Sequence, residues 1–361
     1  MSRRRKTSDD PSVSGPAARK PTIYDIARLS GASPSTVSAV LSGRATERRI
    51  KSATELAIKA IAAEAGYSPN LQARGLRSAR SGLVGMIIPN HEDRFFSSLS
   101  QSFDTQARQR GHCPVIASTL RTPEEEARIV KTLISYKIDA LLIAGATDSE
   151  ALGALCTAAH LPHIFVDLPG RDAPSIVTDN LLGAERLTRK LLRDHVVVST
   201  ARARPCFLGG IASDFATASR LVGFRKVCDD LGLPSDDDQI LLCGYASRPT
   251  TATLETLCAR LGGLPKALFV NSLPVFEGAL RFLAGLPEGA FHDTAIGCFD
   301  YHPFAAFLPF PVTMVRQDAD ALVGRAYELL DAADFSPRLI AVEPRLIEPR
   351  TLYEEPASGL G

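Results

Sequence analysis

The stretch Thr22–Leu76, TIYDIARLSGASPSTVSAVLSGRATERRIKSATELAIKAIAAEAGYSPNLQARGL, decides how the chain is read. Thr22 suits the N-cap of a short helix, with Asp25 in the first turn where the helix dipole favours an acid. Ile23, Ile26, Ala27 and Leu29 are expected on its apolar face. Gly31 breaks the helix and permits a tight turn. Ser33 suits a second N-cap, followed by Pro34 at the first helical position, where a missing N–H costs nothing. Val37, Val40 and Leu41 form the apolar face of this second helix. Ser35, Thr36, Ser38 and Ala39 point elsewhere, and Gly43 closes it. Ser52-Ala53-Thr54-Glu55 reads as a capping box opening a third helix through Leu56, Ile58, Ile61 and Ala62 to Gly66.

Two short helices joined through a glycine turn, with a third to bury their backs, make a helix-turn-helix. The exposed residues of the second helix are small and mostly hydroxylated. Such residues suit phosphate contacts and close approach to base edges. Asn70–Leu76 is too short to hold as a helix in water alone and is expected to order on a partner. Arg74 and Leu76 are the residue types that enter a minor groove: a cation for its negative potential and an apolar wedge for a base step.

Charge supports a polyanion at this end only. Residues 1–80 hold 15 Lys/Arg against 6 Asp/Glu, a balance of +9, whereas the whole chain carries +1, leaving −8 on the remainder. Residues 1–20 lack apolar periodicity and read as a disordered basic tail. The seven cysteines are scattered, with no C-x-x-C pair and no Cys/His cluster of zinc spacing, so reduced thiols and no metal are expected. No apolar run approaches the roughly 18 residues of a membrane span, and no apolar leader opens the chain. The expected location is cytoplasmic, on the nucleoid, with no membrane partner.

From Ser81 the pattern changes. Buried strand-like runs such as LVGMIIPN, CPVIAST, ALLIAG, HIFVD and SIVTD alternate with amphipathic helices, among them TPEEEARIVKTLISYKID, whose three glutamates meet the positive end of the dipole. The alternation restarts through CFLGG, ILLCGY, KALFVNS and AIGCFD, and ends with VTMVRQ, a helix and RLIAVEPRLI. Apolar strands between helices imply parallel sheets covered on both faces. The fold class is therefore α/β: an N-terminal all-α helix-turn-helix domain plus two doubly wound parallel-sheet subdomains. Ligands in such sheets lie beyond the carboxyl ends of the strands, and a cleft between subdomains is a natural small-molecule site. The residues to inspect are Asn90 to Ser97, Asp167, Asp179, Asn271 with Ser272, Asp300 with Tyr301, and Gln317.

TIYDIARLSGAS, TVSAVLSG and YSPNLQARGL, in this order and spacing, resemble the lactose-repressor family of bacterial transcription regulators. The longer connector SGRATERRI, together with LGGIASDFATASRLVGF and CFDYHPFAAFLPFPVTMVRQ, is similar to the fructose repressor (catabolite repressor/activator) branch. The resemblance implies a periplasmic-binding-protein-like core. It also implies a homodimer on a palindromic double-stranded DNA operator, with Thr22, Ser33, Pro34, Ser35, Thr36, Ser38 and Ala39 toward the major groove. Asn70, Ala73, Arg74 and Leu76 would form the hinge, Leu76 being its intercalating residue. Pro34 and Ala39 stand where many members carry larger base-reading side chains. The implied division is a head at 21–66, a hinge at 67–80 and a core at 81–353. Within the core, one subdomain takes 81–180 plus 313–340, the other 181–312 plus 341–353, and a tail follows at 354–361.

The same resemblance aims Arg220 of SRLVGF into the cleft, where its planar fork suits a phosphate, a carboxylate or vicinal hydroxyls. Alone, such an arginine is usually a solvated helix residue. Asp300 in GCFD would accept hydroxyls from a sugar or purine; the bland alternative is a turn aspartate. Asp167 and Asp179 sit at matched strand ends, and Asn271-Ser272 resembles an asparagine-aspartate pair of the family. Asn90 and Phe96 would line the floor, though a phenylalanine is as readily core. The expected effector is a sugar phosphate such as fructose 1-phosphate, with a purine or neutral sugar as the alternative. An enzyme on this fold is disfavoured: no G-x-G-x-x-G follows the first strand, and neither G-x-x-x-x-G-K-[ST] nor G-x-S-x-G occurs. No cofactor is expected.

Overall fold

The computed structural model describes residues 21–67, 80–193, 203–233, 235–287 and 289–353. The chain divides into two compact units, 1–81 and 82–361. In the first, helices α1 (Ile23–Ser30), α2 (Pro34–Leu41) and α3 (Ser52–Glu64) enclose a small core of Ile26, Ala27, Val37, Val40, Ala45, Ile58 and Ala62. The Thr22 N–H and hydroxyl both donate to Asp25 Oδ2, at 2.8 and 2.7 Å, fixing the start of α1. Gly31, Gly43 and Gly66 each take a left-handed φ at a helix end, as their spacing predicts.

Four details of this unit differ from the sequence reading. Leu29 is 59% exposed. At about 100° per residue, Ile23, Ile26 and Ala27 share an arc of about 100°, and Leu29 falls outside it. Leu56 is exposed for the same reason, nearly opposite Ile58 on α3. Ala39 is buried rather than presented outward: the chain after Gly43 turns back, with the Arg44 N–H donating to the Ala39 carbonyl at 2.9 Å. The N-cap of α3 is Lys51, not Ser52, and it makes no side-chain cap.

The second unit holds two six-stranded sheets. The first runs β11-β5-β4-β3-β1-β2, with β1 Leu83–Ile88, β2 Cys113–Ser118, β3 Ala140–Ala144, β4 His163–Val166, β5 Ser175–Thr178 and β11 Leu339–Val342. Every pairing in it is parallel. The second runs β12-β10-β9-β8-β6-β7, with β6 Pro205–Leu208, β7 Ile240–Leu241, β8 Ala267–Val270, β9 Ala295–Phe299, β10 Val312–Arg316 and β12 Arg345–Ile347. It is parallel apart from β12, which is antiparallel to β10. The two orders are the same once each sheet is renumbered from its own first strand. Strands such as ALLIA and ALFV are buried on both faces because helices cover each side.

The helices are α4 (Arg94–Gln109), α5 (Pro123–Ser135), α6 (Ser149–Ala158), α7 (Asn180–Leu192), α8 (Phe215–Asp230), α9 (Ser247–Leu261), α10 (Leu273–Leu283) and α11 (Ala319–Ala332). Each sheet has one apolar cluster on either face. The late elements do cross back, but not where expected. A boundary at 313 would put β10 in the first sheet; its ladder is with β9, so it belongs to the second. A boundary at 340/341 would cut β11 in two. The chain passes between the sheets near Asp179, between Arg316 and Ala319, and between Val342 and Arg345. Glu124, Glu125 and Glu126 do stand in the first turn of α5, and Glu126 has a second role: it is 1% exposed, and its carboxylate accepts the Thr147 N–H at 3.0 and 3.1 Å, tying down the loop after β3.

Candidate functional site

In both sheets an aspartate follows the third strand from the late edge: Asp167 after β4 and Asp300 after β9. Both have positive φ, 73° and 126°, where a side-chain-bearing residue is strained. Both donate the backbone N–H to the neighbouring strand, Asp167 to Ile176 O at 2.9 Å and Asp300 to Val315 O at 3.0 Å. The two carboxylates are thus related by the internal repeat of the fold, and each feels the other's charge.

Their surroundings differ. Asp300 Oδ1 accepts from Gln317 Nε2 at 2.6 Å, and Oδ2 accepts from the Leu273 N–H at 3.2 Å. Gln317 Oε1 in turn accepts the Thr178 hydroxyl at 2.6 Å, linking the two sheets. Arg220 on α8 is 3% exposed and lies 3.7 Å from the centre of the Phe299 ring. Its Nε donates to Asn180 Oδ1 at 2.8 Å and its Nη1 to the Asn271 carbonyl at 2.5 Å. Its Nη2 makes no hydrogen bond among the described residues. Asn271 Nδ2 donates to Thr217 Oγ1 at 3.3 Å, and the Thr217 hydroxyl lies 2.8 Å from that of Tyr245. The Tyr245 hydroxyl also donates to Asp214. Asp167, by contrast, is 7% exposed, and its carboxylate makes no hydrogen bond or ion pair among the described residues.

Electrostatics follow from this crowding. Burial, then Asp214, pushes Asp167 up to about 7. Burial pushes Asp300 up to about 7 against the pull of Arg220, with Asp93 adding to the rise. Burial also raises Asp93. The Tyr245 phenol is raised by burial and then by Asp214. Arg121, after β2, lies 5.8 Å from the Phe96 ring centre and 5.4 Å from that of Tyr245. The site therefore gathers four carboxylates, Asp93, Asp167, Asp214 and Asp300, with the guanidiniums of Arg121 and Arg220, and Arg94 and Arg316 line the cavity beside Asp300. Among the described residues, no group of three or more His, Cys, Asp or Glu is placed to hold a metal ion. No helix there is long and apolar enough to cross a membrane.

Of the residues singled out from sequence, Asp167, Arg220, Asn271, Asp300 and Gln317 come together here. Phe96 is 3% exposed in the first sheet's core, with the Arg121 cation at its ring. Asn90 is not aimed at a ligand: its Oδ1 accepts the Asp93 N–H at 2.8 Å and closes a turn. Asp179 caps α7 through the Leu182 N–H at 3.0 Å, and its neighbour Asn180 is the residue that holds Arg220. Asp93, Arg121, Thr178, Asn180, Asp214, Thr217 and Tyr245 escaped the sequence reading as individual candidates. Asp93, Arg121, Asp214 and Tyr245 lie in the segments after β1, β2, β6 and β7, Thr178 ends β5 with Asn180 two residues beyond it, and Thr217 is on α8, so proximity to a strand end was the available signal for most of them.

In the first unit, Ser33 Oγ accepts the Thr36 N–H at 3.2 Å and lies 2.8 Å from both Ser35 Oγ and Thr36 Oγ1. Ser33, Pro34 and Ser35 are exposed, and Thr36 and Ser38 are half-buried. Thr22 is half-buried and engaged with Asp25. Asn70, Ala73, Arg74 and Leu76 lie outside the described residues.

Residues 22–70 match the family model "Bacterial regulatory proteins, lacI family". Residues 81–283 match "Periplasmic binding proteins and sugar binding domain of LacI family". The ribitol operon repressor of Klebsiella aerogenes is 41% identical over 201 residues, covering 56% of this chain and 74% of that one. The sucrose operon repressor of Klebsiella pneumoniae is 30% identical over 316 residues, covering 86% and 92%. The catabolite repressor/activator of Escherichia coli K12 is 27% identical over 329 residues, covering 88% and 93%. Among solved structures, the lac repressor dimer bound to operator and an anti-inducer shares the fold, with a TM-score of 0.76 at 22% identity over 92% of this chain and 99% of that one.

Proposed function

Since the chain belongs to the lacI family of bacterial regulatory proteins, we propose that it is a repressor whose hold on a palindromic operator is controlled by a neutral polyhydroxylated effector, a sugar or polyol. It is a DNA-binding regulator of transcription and not an enzyme. The observation that carries the effector reading is Asp167, a buried residue whose carboxylate makes no hydrogen bond or ion pair among the described residues. The Asp167 oxygens are open enough to be reached, and a ligand hydroxyl donating to a charged acceptor contributes roughly 1.5–3 kcal/mol. Arg220 adds free N–H donors at Nη2, so one vicinal diol could donate to Asp167 and accept from Arg220.

The cavity beside Asp300 is also lined by Arg94 and Arg316, so four guanidiniums stand near the four carboxylates. A sugar phosphate, as the fructose-repressor branch suggests, is the second reading, and Arg94 and Arg316 are the cations that favour it. Identity agrees in direction with the first reading, being higher to the ribitol operon repressor than to the catabolite repressor/activator.

The chain would act as a homodimer in the cytoplasm, each α2 in the major groove of one half-site. Asn70, Ala73, Arg74 and Leu76 keep the minor-groove role implied by the resemblance. To move the DNA-competent state from 99:1 to 1:99, the effector must prefer one arrangement by about four decades. Calorimetry against ribitol, sucrose, their component sugars and fructose 1-phosphate tests the effector. Binding of a neutral polyol or sugar, with release of the operator in a footprint, is expected. A phosphorylated sugar that binds tenfold more tightly than its parent would reverse the assignment.

A further inference from the structure

The connector between α2 and α3 is a second feature of the DNA-binding unit, and α2 does not account for it. Its backbone is ordered. The Arg48 N–H donates to Arg44 O at 3.1 Å, closing one helical turn. Arg49 then takes φ 53°, its N–H donating to Thr46 O at 3.0 Å, and the Ile50 N–H reaches back to Ala45 O at 2.9 Å. That pair of bonds is a Schellman ending, with an arginine where glycine or asparagine is relaxed. Ala45, 2% exposed, and half-buried Ile50 anchor the turn in the core of the unit.

Arg44, Arg48 and Arg49 project from this anchored turn and are all exposed. Arg44 and Arg48, four residues apart on one turn, are side-by-side neighbours. Arg48 and Arg49 make no ion pair or side-chain hydrogen bond among the described residues, and Arg44 donates only to Ser42 Oγ, at 3.2 Å. Glu47 is the one acid between Ser42 and Lys51. Elsewhere in this unit cations lie beside acids, as Lys59 does with Glu55 and Arg28 with Asp25. Meanwhile α2 is poorly equipped to hold DNA by itself: Ala39 is buried, and its outward residues are Pro34 and short hydroxyls. At about 1.5 Å per residue its eight residues span about 12 Å, close to the width of the major groove. A connector leaving its end therefore emerges at the groove's phosphate wall.

We propose that the Arg44–Arg49 turn is a preorganised phosphate clamp that adds sequence-independent affinity to this small recognition helix without supplying sequence discrimination. The proposal rests on the operator-binding reading above. The test is the salt dependence of DNA binding by the full chain, measured on its operator and on a scrambled duplex. In Arg48→Gln/Arg49→Gly two cations are lost from each head, and the glycine relaxes the left-handed residue, so the thermal melt should not fall. With about 0.9 counterion per phosphate and two heads per dimer, the slope of log K against log salt should become shallower by about 3.6. Affinity should drop on both duplexes alike, leaving their ratio within about threefold. Arg48→Lys/Arg49→Lys should keep the wild-type slope.

An unchanged slope in the double variant overturns the clamp. So does a loss confined to the operator duplex, which would make these arginines base readers. If the double variant does not fold, Arg48→Gln alone should still lower the slope by about 1.8, and no change there has the same overturning force. Wild-type protein that binds neither duplex would sink the operator reading itself, a distinct outcome.

Discussion

Asp167 and Asp300 occupy the same place in twin sheets, share the strained backbone and are driven to the same pKa of about 7, yet only one is wired in. Around Asp300 a continuous network runs through Gln317, Thr178 at the end of β5, Asn180, Arg220, Asn271, Thr217 and Tyr245. Around Asp167 the first sheet supplies an exposed cation, Arg121, and the ring of Phe96. At the strand end equivalent to Asn271, after β3, it has Gly145 and no side chain at all. The Asp300 half of the site is cross-linked by its own side chains. The other presents Asp167, with acceptors that no described protein donor engages, so closure can depend on what arrives.

The largest effect should come from breaking the cross-linked half. Arg220→Ala removes the donor shared by Asn180 and Asn271 and leaves Asp300 without its stabilising cation. Urea unfolding should show a loss of about 3–5 kcal/mol, the range for stripping one partner from a buried charged network. Effector binding should fall by 100-fold or more. Stability within 1 kcal/mol of wild type would mean that the network is not what holds this half together.

Substituting the open half should separate binding from folding. Asp167→Asn removes a charge that no protein group satisfies, so the chain should be no less stable at pH 8. Effector affinity should fall about 10- to 100-fold, the worth of a charged hydrogen bond. The pH dependence sharpens the contrast. Both aspartates titrate near 7 in the folded chain and near 4 when unfolded, so between those values the folded form holds the extra protons. Their contribution is therefore fully present below about pH 4 and is lost as pH rises through about 7. In Asp167→Asn that decline should be roughly halved. Hydroxyls donating to ionised Asp167 should make effector affinity rise over the same interval, with proton release seen by calorimetry in two buffers.

How much of this was legible depends on whether a residue's job is local. Helix ends in the first unit follow from Thr22, Ser33, Gly31, Gly43 and Gly66, because a cap or a left-handed glycine acts within four residues of itself. Asp167, Arg220, Asn271, Asp300 and Gln317 were found because parallel sheets expose their carboxyl strand ends. Asp214 and Tyr245 follow β6 and β7 and obey the same rule, but they become visible only once those runs are inspected as strands with their own ends. Asn180 is a different case. Nothing local separates it from Asp179; the long-range bond to Arg220 decides which of the two serves the site and which caps α7. Ala39 was misread for the same reason, since the turn that buries it folds back from beyond Gly43, and the bond from Thr147 to Glu126 was equally invisible locally.

A third substitution tests whether the halves can be made alike. Gly145→Ala adds a Cβ that would sit 2.7 Å from Pro89 Cγ and 2.8 Å from Phe96 Cζ, at a φ of 62°. Phe96 must shift or the loop must open, at a cost of about 1–3 kcal/mol, less than the loss of Arg220. The displaced ring should also weaken effector binding severalfold. A variant as stable as wild type would show that the emptiness of this strand end is incidental.

The smallest effect is expected at Arg121, and it bears most directly on the asymmetry. This cation reaches two aromatic rings, Phe96 of the first half and Tyr245 of the second, and it holds Asp167 down against burial. Being exposed, it contributes only about 0.5–1 kcal/mol through the rings, so Arg121→Gln should change effector affinity by a few-fold at most. The titration of Asp167 should move further up, because the one favourable charge on its own side is gone. The pH at which effector affinity rises should then shift upward, with the profile otherwise unchanged. An unmoved profile would assign control of Asp167 to Arg220 across the cleft, and the open half would then depend wholly on the cross-linked one for its charge state.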